Sequence, residues 1–265
     1  MTPQERQATA EALVEAERTG RQIGLVSLAH PDMTLDDAYG VQAALIEAKR
    51  RAGRHIVGWK IGLTSRAMQM ALGIETPDSG VLFDDMVFEN GATVPERRFI
   101  QPRMEAEIAF VMKAPLSGDV SRDDVLAATD YVAPSLEILD TRILRADPET
   151  GRARVVFDTV SDNAANAGIV LGDERWTIDA HDLRWVGAIV ARDGTVEETG
   201  LGAGVLNDPV ESVVWLARRM HTYGQRIEVG HVVLSGSFIR PIECPSGTRI
   251  EADFGAFGSV ACAFA

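Results

Sequence analysis

Along the 265 residues, hydrophobic positions recur at helical spacing in the first fifth of the chain and then mostly alternate. Thr2-Pro3-Gln4-Glu5 is a helix start, with Thr as N-cap, Pro at the first helical position and Glu three past the cap. This helix is predicted to run to Gly20. A second opens at Thr34, with Ala38, Val41, Leu45 and Ala48 on one face, and stops at Gly53 after a basic last turn. From His55 the period changes. His55–Gly62, Val81–Phe88, Ile100–Lys113, Tyr131–Asp140, Ala167–Leu171 and Leu183–Ala191 read as strands, and Asp193-Gly194 turns the last into Thr195–Glu198. One more helix is signalled by Asp208 as cap, Pro209 first and Gly224 at the end. His231–Ser237, Thr248–Phe254 and Ser259–Phe264 complete a strand-dominated second half. Helices and strands do not alternate regularly, which excludes a doubly wound sheet or a TIM barrel. The expectation is a mixed α+β fold with a curled or barrel-like sheet, a helical region over 1–53 and a β-rich catalytic domain over 54–265.

Three acidic residues interrupt the apolar strands: Glu105 and Glu107 in Arg103-Met-Glu-Ala-Glu-Ile-Ala-Phe-Val, and Glu137 in Pro-Ser-Leu-Glu-Ile-Leu-Asp. Side chains alternate along a strand, so Glu105 and Glu107 leave the same face about 7 Å apart. A lone Glu-x-Glu can be the wet face of a strand. A third carboxylate in a second apolar stretch raises the alternative of a shared divalent cation, since buried like charges are costly without one. Carboxylates without His or thiolate partners favour a hard ion, Mg²⁺ or Mn²⁺.

Composition narrows the partners. The 26 basic and 39 acidic residues give a net charge of −13, which argues against nucleic acid and anionic membranes. Cys244 and Cys262 have neither zinc-like nor disulfide spacing. No signal peptide is visible, and no apolar run approaches the roughly 18–20 residues of a membrane span, so a cytoplasmic protein is expected. Lys60, bracketed by Gly58 and Gly62, could face an anion or a developing enolate, or snorkel at a strand edge. Asp78-Ser79-Gly80 reads as a loop after a short helix over 65–73. The run from Ser161 to Gly168, with Asn163, could offer donors to a ligand or be a structural polar loop. Amides and hydroxyls around Ser237 could hold a carboxylate, and Arg240 could take another in a bidentate fork.

The segments Lys60-Ile-Gly-Leu-Thr-Ser, Pro102-Arg-Met-Glu-Ala-Glu, Ser161-Asp-Asn-Ala-Ala-Asn-Ala-Gly and Gly236-Ser-Phe-Ile-Arg-Pro, in this order, resemble the hydratase/decarboxylase branch of the fumarylacetoacetate hydrolase superfamily. The resemblance spans the chain from the first helix to the C-terminus. It implies a β-rich superfamily fold, a Mg²⁺-type ion on Glu105, Glu107 and Glu137, Lys60 and Asp78 in the site, and a homo-oligomer. It also implies hydration of a small 2-oxo acid in bacterial breakdown of aromatic compounds. Decarboxylation of 2-oxo-3-enedioates and C–C hydrolysis of acylpyruvates share the metal trio, and a non-catalytic partner subunit is the alternative from another class. Two positions depart from the family pattern: Ser79, where it has an aromatic residue, and Ile239, where it has a threonine. In this reading Ser161, Asn163, Ser237 and Arg240 contact substrate, and Arg240 pairs with the far carboxylate of a diacid.

Overall fold

A computed structural model of the chain describes residues 1–66, 69–70 and 76–265. Its helices are α1 (Pro3–Thr19), α2 (Val26–Ala29), α3 (Leu35–Arg51), α4 (Arg122–Ala128), α5 (Val156–Ser161) and α6 (Pro209–Thr222). The strands are β1 (Ile56–Gly62), β2 (Asp78–Phe83), β3 (Val87–Phe88), β4 (Thr93–Val94), β5 (Arg103–Met112), β6 (Thr129–Leu139) and β7 (Asn166–Leu171). They continue with β8 (Gly187–Arg192), β9 (Thr195–Leu201), β10 (Val232–Leu234), β11 (Ile242–Glu243), β12 (Arg249–Asp253) and β13 (Ser259–Phe264).

The long helices start where their caps predict. Thr2 and Glu5 form a capping box on α1, Thr34 and Asp37 one on α3, and Gly20 ends α1 at φ +68°. Asp208 caps α6, accepting from the Val210 amide at 3.0 Å. Ala10, Leu13, Ala38, Val41 and Leu45 pack together, and their cluster is completed by Ile143 and Val160 from the later half of the chain. The helical region therefore shares its core with the β-rich part.

Among the described residues, an eight-stranded mixed sheet runs β2-β1-β10-β5-β6-β7-β3, with β11 also on β5; a second sheet runs β4-β13-β12-β8-β9. Alternation assigns the two faces of β5. Met104, Ala106, Ile108 and Phe110 enter the main core with Val190, Ile250 and Val260 of the second sheet and Val213 of α6. The odd positions Arg103, Glu105 and Glu107 therefore occupy the opposite face. On β1 and β2 the same division sends Trp59, Ile61, Val81 and Phe83 to the core, and leaves Lys60 and Asp78 for the other side.

Three expectations need correction. Asp78-Ser79-Gly80 is not a loop: these residues begin β2, are buried, and pair with β1 as Gly62↔Asp78 and Lys60↔Gly80. The strand expected over Val81–Phe88 breaks at Asp84–Met86, a 3-10 turn in which Asp84 accepts from the His55 amide. Helix α4 was not expected, although Ser121 and Asp124 form its capping box. The short helix expected over 65–73 lies largely outside the described residues. No helix among the described residues is long and apolar enough to cross a membrane.

Candidate metal centre and active site

Antiparallel pairing of β5 with β6 sets Glu105 directly opposite Glu137, and Glu107 lies two residues further on the same face. One carboxylate oxygen from each falls within 4.8 Å of the others. Oxygens on opposite sides of a Mg²⁺ ion sit about 4.2 Å apart, at two bonds of ~2.1 Å, so small side-chain adjustments would seat an ion. Glu107 and Glu137 are fully buried. Among the described residues only one of their four oxygens is hydrogen-bonded: Glu107 Oε2 accepts from the Gly236 amide at 2.7 Å, while Glu107 Oε1 and both Glu137 oxygens have no hydrogen-bond partner. A buried acceptor left open costs about 1–3 kcal/mol, more if charged. Carboxylate charges within 4.8 Å of one another would also repel by at least about 3 kcal/mol at an effective dielectric near 20. Burial and the Glu137 charge push Glu105 up to about 8, opposed by Lys60 and Arg103. Burial, then Glu137 and Glu105, raises Glu107 well above its ordinary value, and burial raises Glu137 against the pull of Lys60. The donor set, its open oxygens and its excess charge all fit a hard divalent cation.

Lys60 supplies one positive charge. Its Nζ lies 3.5 Å from Glu137 Oε1 and is buried. Burial would lower its pKa, but Glu137, Asp78, Glu105 and Glu107 more than offset this and hold it protonated. Asp78 adjoins it across Gly62: a Cβ built on Gly62 would come within 2.2 Å of Asp78 Oδ1 and 2.9 Å of Lys60 Nζ. Glycine is thus required there by a close approach rather than by a turn. Burial raises the Asp78 pKa, Lys60 opposes it, and Asp78 Oδ1 has no partner. Glu105, Glu107, Glu137, Lys60 and Asp78 converge on one face.

The other expected site residues are placed differently. Asn163 is buried at φ +53°, and its amide both accepts from and donates to the Val81 backbone; it braces β2. Ser161 ends α5, fully buried, with an Oγ that has no partner. Ser237 Oγ accepts from the Ile239 amide and donates to the Ile239 carbonyl, closing a local turn. The carboxylate held at this turn is Glu107, through Gly236. Arg240 lies apart from the carboxylates: its side chain is 78 % exposed and its guanidinium pairs with Glu198. An exposed position downstream of a turn is not distinguishable in sequence from a pocket wall. Arg103, two residues before Glu105 on β5, shares the carboxylates' face.

No family model matches the chain. A 2-oxo-hept-4-ene-1,7-dioate hydratase of Escherichia coli is 48 % identical over 256 residues, 96 % of each chain. The chain belongs to the hydratase/decarboxylase branch of the fumarylacetoacetate hydrolase superfamily. Among solved structures, 4-oxalocrotonate decarboxylase from Pseudomonas putida G7, complexed with magnesium and adipate, superposes with a TM-score of 0.93. It is 34 % identical, over 100 % of this chain and 99 % of that one. Fumarylpyruvate hydrolase from Pseudomonas aeruginosa, in complex with Mn²⁺ and pyruvate, shares the fold alone, at 14 % identity and a TM-score of 0.60 over 78 % of this chain and 88 % of that one. The mixed α+β architecture and superfamily expected from the motifs agree with these likenesses.

Proposed function

We propose that this protein is a divalent-metal-dependent hydro-lyase of aromatic-compound breakdown, converting 2-oxohept-4-ene-1,7-dioate to 4-hydroxy-2-oxoheptane-1,7-dioate. The observation that carries the reading is the trio Glu105, Glu107 and Glu137, with one oxygen from each within 4.8 Å of the others, the last two fully buried with open oxygens, and Lys60 beside Glu137. Likeness to the hydratase over nearly the whole chain supports the substrate class. Mg²⁺ is the proposed ion, with Mn²⁺ as substitute, because the ligands are all carboxylates. When bound, it would supply Lewis acidity to the 2-oxo-carboxylate end of the substrate.

The chain's own residues account for the rest. Moving the double bond from C4–C5 into conjugation at C3–C4 removes a proton from C3 and returns one to C5. Water then gives its oxygen to C4, and C3 is protonated again. In both stages negative charge develops on the C2 oxygen, where Lys60 is a fixed positive neighbour in a water-poor site. Asp78, beside Lys60 with an open oxygen and a raised pKa, is the proposed proton carrier. The open Oγ of Ser161 is a further donor for substrate. Assembly as a homo-oligomer belongs to the same proposal; exposed Trp185, Ile189 and Val196 around the second sheet offer apolar surface for it.

A second reading, decarboxylation of a 2-oxo-3-enedioate, is favoured by the close superposition on 4-oxalocrotonate decarboxylase, and fold alone does not separate the two. Purified protein with Mg²⁺ is expected to bleach the ultraviolet absorbance of the conjugated seven-carbon enone without releasing CO₂. Release of CO₂ from a 2-oxo-3-enedioate would move the assignment to the decarboxylase. Absence of turnover with either, together with no Mg²⁺ uptake in calorimetry, would leave only a non-catalytic subunit.

A further inference from the structure

Next to the carboxylates lies a group of opposite charge that the proposed chemistry does not use. Arg103 opens β5 on the face of Glu105 and Glu107, and its register partner across β11 is Glu243. Arg145, on the connection after β6, reaches the same Glu243, with Nη1 2.7 Å from Oε1. Arg154 returns beside it: its amide donates to the Arg145 carbonyl at 2.9 Å, and Ala146 and Ala153 form an antiparallel bridge. Among the described residues, each of the three has a buried guanidinium nitrogen without a hydrogen-bond partner, namely Arg103 Nε, Arg145 Nε and Arg154 Nη1. Among the described residues, neither Arg103 nor Arg154 forms a side-chain hydrogen bond or an ion pair.

The three guanidiniums are half-buried and repel one another, and a protein of net charge −13 has no shortage of acids to pair with them. Arg103, after Lys60, opposes the rise of the Glu105 pKa, and Arg154, after Lys60 and Arg219, that of Asp78. Arg103 stands about 7 Å along the strand from Glu105, a span that an extended dicarboxylic acid bound at the carboxylate trio can cover.

We propose that Arg103 and Arg154, with Arg145 steadied by Glu243, form the subsite that binds the second carboxylate of a 2-oxo dicarboxylic acid and thereby select diacids over monoacids. This rests on the functional reading above and replaces Arg240 in that role. A planar guanidinium matches a carboxylate with two parallel hydrogen bonds. Discrimination follows from the asymmetry of such sites: a monoacid leaves buried donors unpaired, so it is rejected more strongly than a missing apolar contact would allow.

The test is calorimetry on the Mg²⁺-loaded protein with two saturated analogues that cannot be hydrated, 2-oxoheptane-1,7-dioate and 2-oxoheptanoate. The unaltered protein is expected to prefer the diacid. Arg154→Gln and Arg103→Gln should each cost the diacid about 10- to 100-fold in affinity and the monoacid much less, so that the preference collapses. Arg154→Lys, which keeps the charge without the fork, should fall between. Because the Arg154 guanidinium has no protein partner, its Gln variant should keep or raise the ligand-free unfolding midpoint, which a structural role would lower. Equal losses for both acids, or a preference abolished by Arg240→Gln instead, would overturn the subsite. Should Arg154→Gln not fold, the lysine variant decides the same question. A protein that shows this arginine-dependent preference but leaves the enone unchanged loses the hydratase reading and keeps the subsite; one that hydrates the enone with no such dependence does the reverse.

Discussion

Two clusters of buried charge sit on this scaffold and differ in one respect. In the first, Arg142 and Asp162 are both buried and their groups are consumed by protein. The Asp162 carboxylate accepts from Arg142 Nε and from the Arg142 amide at 2.8 Å. The guanidinium also donates to the carbonyls of Asp162 and Asn166. In the second, Glu107 and Glu137 present open oxygens toward Lys60 and Glu105. The first arrangement is complete without a ligand and ties α5 to the end of β6. The second, when ionised, holds more negative charge than its one lysine balances, an excess that a bound cation would relieve. Buried charge that is fully paired is architecture; buried charge left open marks a site. Arg103 and Arg154 belong with the second kind.

Substitutions in the two clusters should therefore have opposite signatures. Glu107→Gln is expected to reduce turnover by at least about 10²-fold, the scale of losing a main electrostatic contributor, while the ligand-free protein unfolds no earlier than the unaltered one. Saturating Mg²⁺ at about 100 times its Kd should raise the unaltered protein's midpoint by about 5–10 °C, and this rise should vanish in Glu107→Gln. An undiminished rise would remove Glu107 from the ligand set.

Asp162→Ala should do the reverse. It strands the buried Arg142 charge, and breaking such a pair costs about 3–5 kcal/mol, or about 10 °C in unfolding midpoint; the Mg²⁺-dependent rise should persist. If the midpoint holds while Mg²⁺ binding is lost, the two clusters are one system and the contrast between them fails.

The smallest effect belongs to a third, neutral arrangement. His231 Nδ1 accepts from Trp59 Nε1 and the Glu228 amide, both at 3.2 Å, so the ring must be unprotonated there. Burial lowers its pKa in the folded protein, with Glu228 opposing. Its contribution is present above the ordinary value near 6.5 and disappears as pH falls through the lower folded value. Unfolding midpoints followed from pH 7 downward should fall less in His231→Asn than in the unaltered protein; parallel curves would acquit His231.

Much of the site's composition was readable before its geometry. Period-two alternation correctly placed Glu105 and Glu107 on one face, and three helix starts and the Asp193-Gly194 turn followed from local chemistry, with Asp193 and Gly194 both at positive φ. The α4 capping box, Ser121 with Asp124, was equally legible and went unread. Asp78-Ser79-Gly80 misled because turn residues are judged by local preference, whereas pairing with β1 is a tertiary fact. The place of Arg240 was illegible for a related reason: its partner Glu198 comes from a different hairpin, and no local pattern announces it.

From residue order alone came the caps, the alternation and the inventory of acids in apolar strands, because these depend on neighbours within about four positions. The folded chain decided the rest. Glu105 opposite Glu137 required the β5–β6 register, the Gly236 amide reached Glu107 across 129 positions, and Arg154 met Arg145 only through a returning connection. Burial and unmet hydrogen bonds, which separate a site from a charged surface, are properties of packing between distant segments.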